Sequence, residues 1–106
     1  MADVNGNDDI NLAYNNVVRR YNTISRRRHD KLQQLNNMIA LKMNVNRLQQ
    51  RYINRHKTSR FEALLLYIDQ KIKKLDKIKR ALQEEIMILQ EFEQYFSKMR
   101  TEVGHS

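Results

Sequence analysis

The chain has 106 residues, 41% of them hydrophobic, and carries 20 Lys and Arg against 12 Asp and Glu, a formal net charge of +8. A chain this short forms one domain at most and cannot bury the large core that frames most enzyme pockets. It has no cysteine, no proline and two glycines, Gly6 and Gly104, which excludes disulfides and thiolate metal sites and leaves no strong helix breaker between those glycines. We therefore expect an all-α, intracellular protein, cytoplasmic or nuclear, that is not an enzyme.

Helix 1 is predicted from residue 10 to residue 55, after a polar segment, 1–9, that we expect to be a disordered leader. Its first apolar residues alternate steps of four and three, which is the spacing of a coiled-coil seam rather than of a strand. These residues are Ile10, Tyr14, Val17, Tyr21 and Ile24.

Beyond Ile24 the apolar spacing of helix 1 becomes irregular. Arg28 and Lys31 stand at the next two positions of the series, where apolar residues are expected. The apolar residues then resume and pass through Leu41 and Leu48 after two consecutive steps of three. Such a stammer overwinds a coiled coil locally without ending the helix.

Helix 2, predicted over 60–103, has the most regular pattern, with an apolar residue at seven positions spaced by seven. Asp69 with Lys73 and Asp76 with Arg80 are acid-before-base pairs four residues apart, each of which stabilises a solvated helix by a few tenths of a kcal/mol. The predicted helix-seam interface consists of Phe61, Leu65, Ile68, Ile72, Leu75, Leu82, Ile86, Leu89 and Phe96.

A turn is predicted at 56–59, because the seven-residue phases of the two helices disagree by two residues across this segment. Ser59 followed by Glu62 has the spacing of a capping box, which marks the start of a helix. We therefore favour an antiparallel coiled-coil hairpin over one long bent helix, and we treat the chain as a single coiled-coil module.

In this predicted hairpin, basic residues of helix 1 lie opposite acidic residues of helix 2. A fold-back near residue 57 brings the run Arg26 to Arg28 close to Glu84 and Glu85. It also brings Arg47 close to Asp69. Charges that flank a seam select partner and orientation in coiled coils. The predicted electrostatic residues are Arg26, Arg27, Arg28, Lys71, Lys74, Lys77, Glu84 and Glu85.

A second apolar stripe on helix 2 steps by four, three and four, about a quarter-turn away from the seam. A two-helix hairpin covers one seam per helix, so these side chains indicate further helices and a larger bundle. The predicted docking residues for such a partner are Tyr14, Val17, Tyr21, Ile88, Phe92, Tyr95 and Met99.

No motif for catalysis, metal binding or cofactor binding is present. His29, His56 and His105 are far apart in sequence, and no second histidine lies four residues from any of them. The chain has no Gly-rich phosphate loop and no serine elbow. Its longest apolar run, 63–68, is too short to span a bilayer. We expect no metal, no cofactor, no small-molecule substrate and no transmembrane segment.

The leading functional hypothesis is a non-catalytic interaction subunit or scaffold that contributes a helical hairpin to a multi-protein complex. Its partners are expected to be other helical subunits or further copies of the chain, as in spindle or kinetochore, tethering or organelle-positioning assemblies; this is an analogy of architecture alone. The alternative is a basic helical module that binds nucleic acid or an acidic filament such as microtubules, because residues 1–58 carry a net charge of +7 and 59–106 only +1.

Overall fold

The computed structural model describes two long α-helices, α1 (Ala2–Tyr52) and α2 (Thr58–His105), and the side chains of residues 8–52 and 60–103. The helices form a hairpin, which confirms the predicted all-α, two-helix fold. Within the described ranges, neither helix is apolar enough over a sufficient length to cross a membrane.

The bounds of the helices differ from the predicted ones at two places. Helix α1 begins at Ala2, in the segment predicted as a leader; a single glycine costs a helix only about 1 kcal/mol, so Gly6 does not end it. Residues 53–57 lie outside the described part of the chain and include the first two residues of the predicted turn, whereas α2 begins at Thr58, within that predicted turn. The side chain of Ser59, on which the predicted capping box depends, is also outside the described part.

Two compact units divide the hairpin, and both helices contribute to each of them. Unit 1 contains Met1–Arg28 and Ala81–Ser106, and unit 2 contains His29–Arg80. In unit 1, Arg20 contacts Glu85 while the earlier Tyr14 contacts the later Arg100. The two helical segments of that unit are therefore antiparallel.

Each helix carries a series of buried or half-buried side chains that alternates steps of four and three, which we call its seam. The seam of α1 comprises Ile10, Tyr14, Val17, Tyr21, Ile24, Arg28, Lys31, Leu35, Met38, Lys42, Val45, Gln49 and Tyr52. The seam of α2 comprises Phe61, Leu65, Ile68, Ile72, Leu75, Lys79, Leu82, Ile86, Leu89, Glu93 and Phe96.

The seam of α1 is more regular than its apolar residues predict. Leu41 and Leu48 are 41% and 46% exposed, whereas Lys42 and Gln49 occupy the seam positions beside them. A lysine can cover apolar surface with its aliphatic stem while its ammonium group reaches solvent, and Lys42 places that group 2.7 Å from Asp69. The predicted irregular step is therefore wrong, because a lysine and a glutamine continue the series.

Among residues 8–52 and 60–103 the core consists of six apolar side chains, each at most 6% exposed, and none of the polar or charged residues there is buried. Burial of one such side chain stabilises the fold by about 1.5–3 kcal/mol. The core of unit 1 is Ile24 and Ile86, and that of unit 2 is Leu35, Val45, Ile68 and Leu75.

Candidate interaction surfaces

The predicted helix-seam interface of α2 lies on the seam throughout. Ile68, Leu75 and Ile86 are buried. The other members are half-buried, because two helices alone leave the edges of a seam open to solvent. They are Phe61, Leu65, Ile72, Leu82, Leu89 and Phe96.

The docking residues predicted on α1 are engaged inside the hairpin. The Tyr21 hydroxyl accepts a hydrogen bond of 3.4 Å from Gln90 Nε2. The guanidinium carbon of Arg100 lies 4.2 Å from the centre of the Tyr14 ring, a cation–π contact. Val17 is a half-buried seam residue. The structure therefore separates these three residues from the docking residues predicted on α2.

The docking residues predicted on α2 form an exposed surface of unit 1, which we call the outer stripe: Ile88, Phe92, Tyr95 and Met99. The first three are 52%, 48% and 60% exposed, and Met99 is half-buried. Their spacing of four, three and four places them along one side of α2. The outer stripe is thus an uncovered apolar face with the periodicity of a helix-packing surface.

The aromatic rings of the outer stripe rest on a seam residue. Phe92 stacks on Phe96 with ring centroids 6.1 Å apart, and Tyr95 meets the same ring edge-on at 5.8 Å. Such aromatic pairs contribute about 0.5–1.5 kcal/mol beyond the area they bury. Contact with the half-buried Phe96 therefore restrains both exposed rings before any partner binds.

The charges around the outer stripe are mainly acidic. Between residues 81 and 103, α2 carries five glutamates, one lysine and one arginine. Glu85 is paired with Arg20 at 3.0 Å. Glu84 and Glu91 are exposed and make no ion pair within the described part of the chain. A partner with basic flanking residues would therefore be favoured electrostatically.

The predicted contact between Arg26 to Arg28 and the glutamate pair is wrong. Glu85 pairs with Arg20 instead. Arg26 donates from Nε to the backbone oxygen of Asn22 in its own helix, Arg27 is exposed, and the buried Nε of Arg28 has no hydrogen-bond partner. Glu84 is exposed and makes no ion pair with any residue whose side chain the structure describes.

The two ion pairs across the hairpin use residues of α1 that precede the predicted partners by five and six positions. Lys42 stands beside Asp69 where Arg47 is predicted. An exposed ion pair contributes about 0–1 kcal/mol, whereas burial of Ile68 or Ile24 contributes about 1.5–3 kcal/mol each. Packing of the seam therefore contributes more to the stability of this arrangement than the surface ion pair does.

Four lysines of unit 2 form a second surface, which we call the lysine face: Lys71, Lys73, Lys74 and Lys77. Lys73 is predicted to pair with Asp69, but that carboxylate binds Lys42 across the hairpin. The other nearby carboxylate, Asp76, contacts Lys79 at 3.3 Å and Arg80 at 3.0 Å, which confirms the predicted Asp76–Arg80 pair. Within the described ranges, none of the four lysines makes an ion pair.

A shallow hollow of about 240 Å³ adjoins the lysine face and is lined by Tyr67, Gln70, Lys71 and Lys74. It is smaller than the 300–1,000 Å³ clefts that enclose small-molecule ligands. Tyr67 is 59% exposed at its edge. The hollow therefore suits one flat group lying against an aromatic ring better than a substrate enclosed on all sides.

Sequence reasoning missed a set of exposed apolar residues on α1 of unit 2. These are Ile39, Leu41, Met43 and Leu48, which are 41–51% exposed. The spacing that begins at Ile10, continued unchanged through Arg28 and Lys31, leaves all four off the seam, so the signal was present in the sequence.

Comparison with known proteins found no match to a family model, a curated protein or a solved structure. The outer stripe of unit 1 and the lysine face of unit 2 are therefore the features from which a function can be inferred.

Proposed function

We propose that this protein is a non-catalytic interaction subunit that lends its helical hairpin to a larger helical bundle. The observation that carries the proposal is the outer stripe, where Ile88, Phe92 and Tyr95 are all about half exposed on one side of α2. A helix with an apolar side of this spacing is stabilised by packing against another helix. Coiled-coil packing along the seam is part of the same proposal.

The partner is a helix that carries apolar residues at steps of three and four, flanked by lysine or arginine. The apolar spacing matches the outer stripe, and the basic flanks match Glu84 and Glu91, which are exposed and unpaired. Complementary charge at the edge of an interface raises the association rate and excludes partners of the wrong sign.

The cellular setting of the proposal is an intracellular assembly built mainly from helices, of the spindle or kinetochore, tethering or organelle-positioning kind. Such assemblies are held together by helical bundles rather than by pockets, and a subunit in them needs a stable seam together with a free apolar side. The hairpin has both features.

The experiment replaces Phe92 and Tyr95 with serine in the full-length chain and measures partner binding and unfolding separately. Partners that co-purify with the native chain from its own cells should be lost from the variant. Both side chains are about half exposed but each packs on Phe96, so we expect the melting temperature to fall by several degrees while the helical circular dichroism signal at the temperature of the binding assay is retained.

A matched control replaces Asn36 and Asn44 with serine, since both are exposed polar residues of α1. That variant should keep its partners. The proposal fails if the Phe92 and Tyr95 variant retains every partner, or if the native chain is monomeric and fully stable by light scattering and calorimetry and recovers none. Self-association through the outer stripe would show instead as a dimer that the serine substitutions dissociate.

A further inference from the structure

The charge of the molecule is concentrated in unit 2. Residues 29–80 hold thirteen basic and four acidic side chains, whereas the residues of unit 1 hold seven basic and eight acidic ones. Unit 2 alone therefore carries a formal charge of +9 against −1 for unit 1. A local excess of this size attracts polyanions before any specific contact forms.

The contacts of unit 2 leave the lysine face unneutralised. Asp69 is held by Lys42, and Asp76 by Lys79 and Arg80, so both neighbouring carboxylates of α2 are engaged with other cations. At 3.6 residues per turn, the four lysines and Tyr67 fall within an arc of roughly 160° on the side of α2 away from its seam. Tyr67, Lys73, Lys74 and Lys77 are exposed, and Lys71 is half-buried at the edge of this arc.

We propose that the lysine face binds a single strand of nucleic acid, with Lys71, Lys73, Lys74 and Lys77 at its phosphates and Tyr67 stacked on one base. Lysine acts on phosphate as a point charge and needs no fixed bidentate geometry. An exposed tyrosine stacks on any base, because every base offers a π-face. The hollow between Tyr67 and Lys74 provides the place where that base lies.

Two other polyanions fit the lysine face less well. A helix that lies on a membrane buries a row of large apolar side chains beside its lysines. On α2, Leu64 and Leu66 are 42% and 59% exposed at one end of the lysine face, but between Lys71 and Lys77 no large apolar side chain is exposed, and Leu75 is buried in the hairpin. An acidic peptide is best held by the forked guanidinium of arginine, and it offers no flat ring to Tyr67. The surface therefore favours nucleic acid.

The test measures the fluorescence anisotropy of labelled 15-nucleotide oligo-dT and oligo-U as the full-length chain is added. Single-strand affinity falls with salt by a power of about 0.7 for each phosphate contacted. If the four lysines contact four phosphates, the affinity should fall by about 50-fold between 50 and 200 mM salt. Replacement of the four lysines with glutamine should remove most of this salt dependence and weaken binding at 50 mM salt by about tenfold or more.

A matched control removes four positive charges from unit 1 by replacing Arg19, Arg26, Arg27 and Lys98 with glutamine. All four are exposed, and the net charge of this variant equals that of the lysine-face variant. We expect its affinity to stay within about threefold of the native value, because most of the remaining field comes from unit 2. Equal losses in the two variants would assign binding to net charge and overturn the proposal.

The stacking contact is tested at Tyr67. Tyr67→Leu should weaken binding by roughly 5- to 150-fold, the loss associated with one stacked base, while Tyr67→Phe should keep the native affinity. Equal affinity of the two variants removes the stacking contact from the proposal and overturns it.

Competition distinguishes the classes of polyanion. A polyglutamate peptide with the same number of charges should displace the oligonucleotide only at much higher concentration, and vesicles of phosphatidylcholine with phosphatidylserine should not displace it at 150 mM salt. Displacement by either at matched charge overturns the nucleic-acid assignment. Thermal melts of all variants confirm folding. The outer stripe is unaltered in every variant, so this test and that of the proposed function fail independently.

Discussion

The two units are built from the same pair of helices but present different chemistry to solvent. Unit 1 is almost neutral, with a formal charge of −1, and exposes the apolar outer stripe. Unit 2 carries +9 and exposes the lysine face. The same two helices thus present two different surfaces, which we propose are suited to a helix in unit 1 and to a polyanion in unit 2.

The net charge of each half of the sequence differs from the net charge of each structural unit. A split at residue 58 assigns +7 to the first part of the chain and +1 to the second, which suggests one basic helix and one neutral helix. The structural units instead combine the start of α1 with the end of α2, where five arginines of 1–28 are balanced by acids. Charge in a hairpin has to be counted across its two helices.

The largest predicted effect breaks the seam of unit 1. Replacement of Leu82 and Leu89 with aspartate puts two charges on half-buried seam positions, and we expect it to cost about 4 kcal/mol or more of unfolding free energy. Co-purification of partners should be abolished. Hydrogen exchange should show amide protection lost in unit 1 and retained around Ile68 and Leu75 of unit 2.

Two outcomes would change this comparison. Uniform loss of protection along the chain would show that the two units unfold as one. A variant that keeps its protection and its partners would show that these leucines are not essential to the seam.

A smaller effect of opposite sign is expected at Arg28. Its Nε is buried without a hydrogen-bond partner, and such a group costs about 1–3 kcal/mol. Arg28→Met keeps an unbranched apolar stem and should raise the unfolding free energy by about 1 kcal/mol, measured by urea denaturation. Arg27→Met, at an exposed position, is the matched control and should change it by less than about 0.5 kcal/mol. Destabilisation by Arg28→Met would show that its guanidinium contributes to packing.

The smallest effects separate the ion pairs of the two units. Arg20–Glu85 in unit 1 and Lys42–Asp69 in unit 2 both join α1 to α2 with side chains about 40–50% exposed. Double-mutant cycles with glutamine, asparagine or methionine should give coupling energies of about 0.2–1 kcal/mol for each pair, lower at high salt. A coupling above about 2 kcal/mol in either pair would mean that charge pairing helps to decide the register.

Much of the fold was accessible from the sequence, because the seam of α2 is apolar at nearly every position. Ile68, Leu75 and Ile86 lie where their spacing predicts them, and the hairpin follows from the change of phase between the helices. The seam of α1 was less accessible because Arg28 and Lys42 occupy apolar positions. Long charged side chains cover apolar surface with their stems, and a pattern based on residue type alone does not show this.

The candidate surfaces divide in the same way. The outer stripe was predicted from the sequence alone, because α2 carries a second row of apolar residues at helical spacing that a two-helix hairpin cannot cover. The lysine face was predicted only as a dense run of charge. Lys73 makes no ion pair with Asp69, although the two are four residues apart in α2, because Asp69 binds Lys42 across the hairpin. The register of the two helices therefore decides whether Asp69 pairs with a lysine of its own helix or with one of the other helix.

Binding of a ligand should raise the stability of this hairpin measurably, because the core of its described part consists of six side chains. Stability in so thin a core rests on few side chains, each contributing about 1.5–3 kcal/mol. A ligand that binds only the folded chain raises the free energy of unfolding by about 2.7 kcal/mol when its concentration is 100 times its dissociation constant. This is as much as burial of one more isoleucine contributes. The melting temperature should therefore rise in proportion to the logarithm of ligand concentration. Thermal unfolding of the purified hairpin can thus rank candidate helices and oligonucleotides without a label on either one.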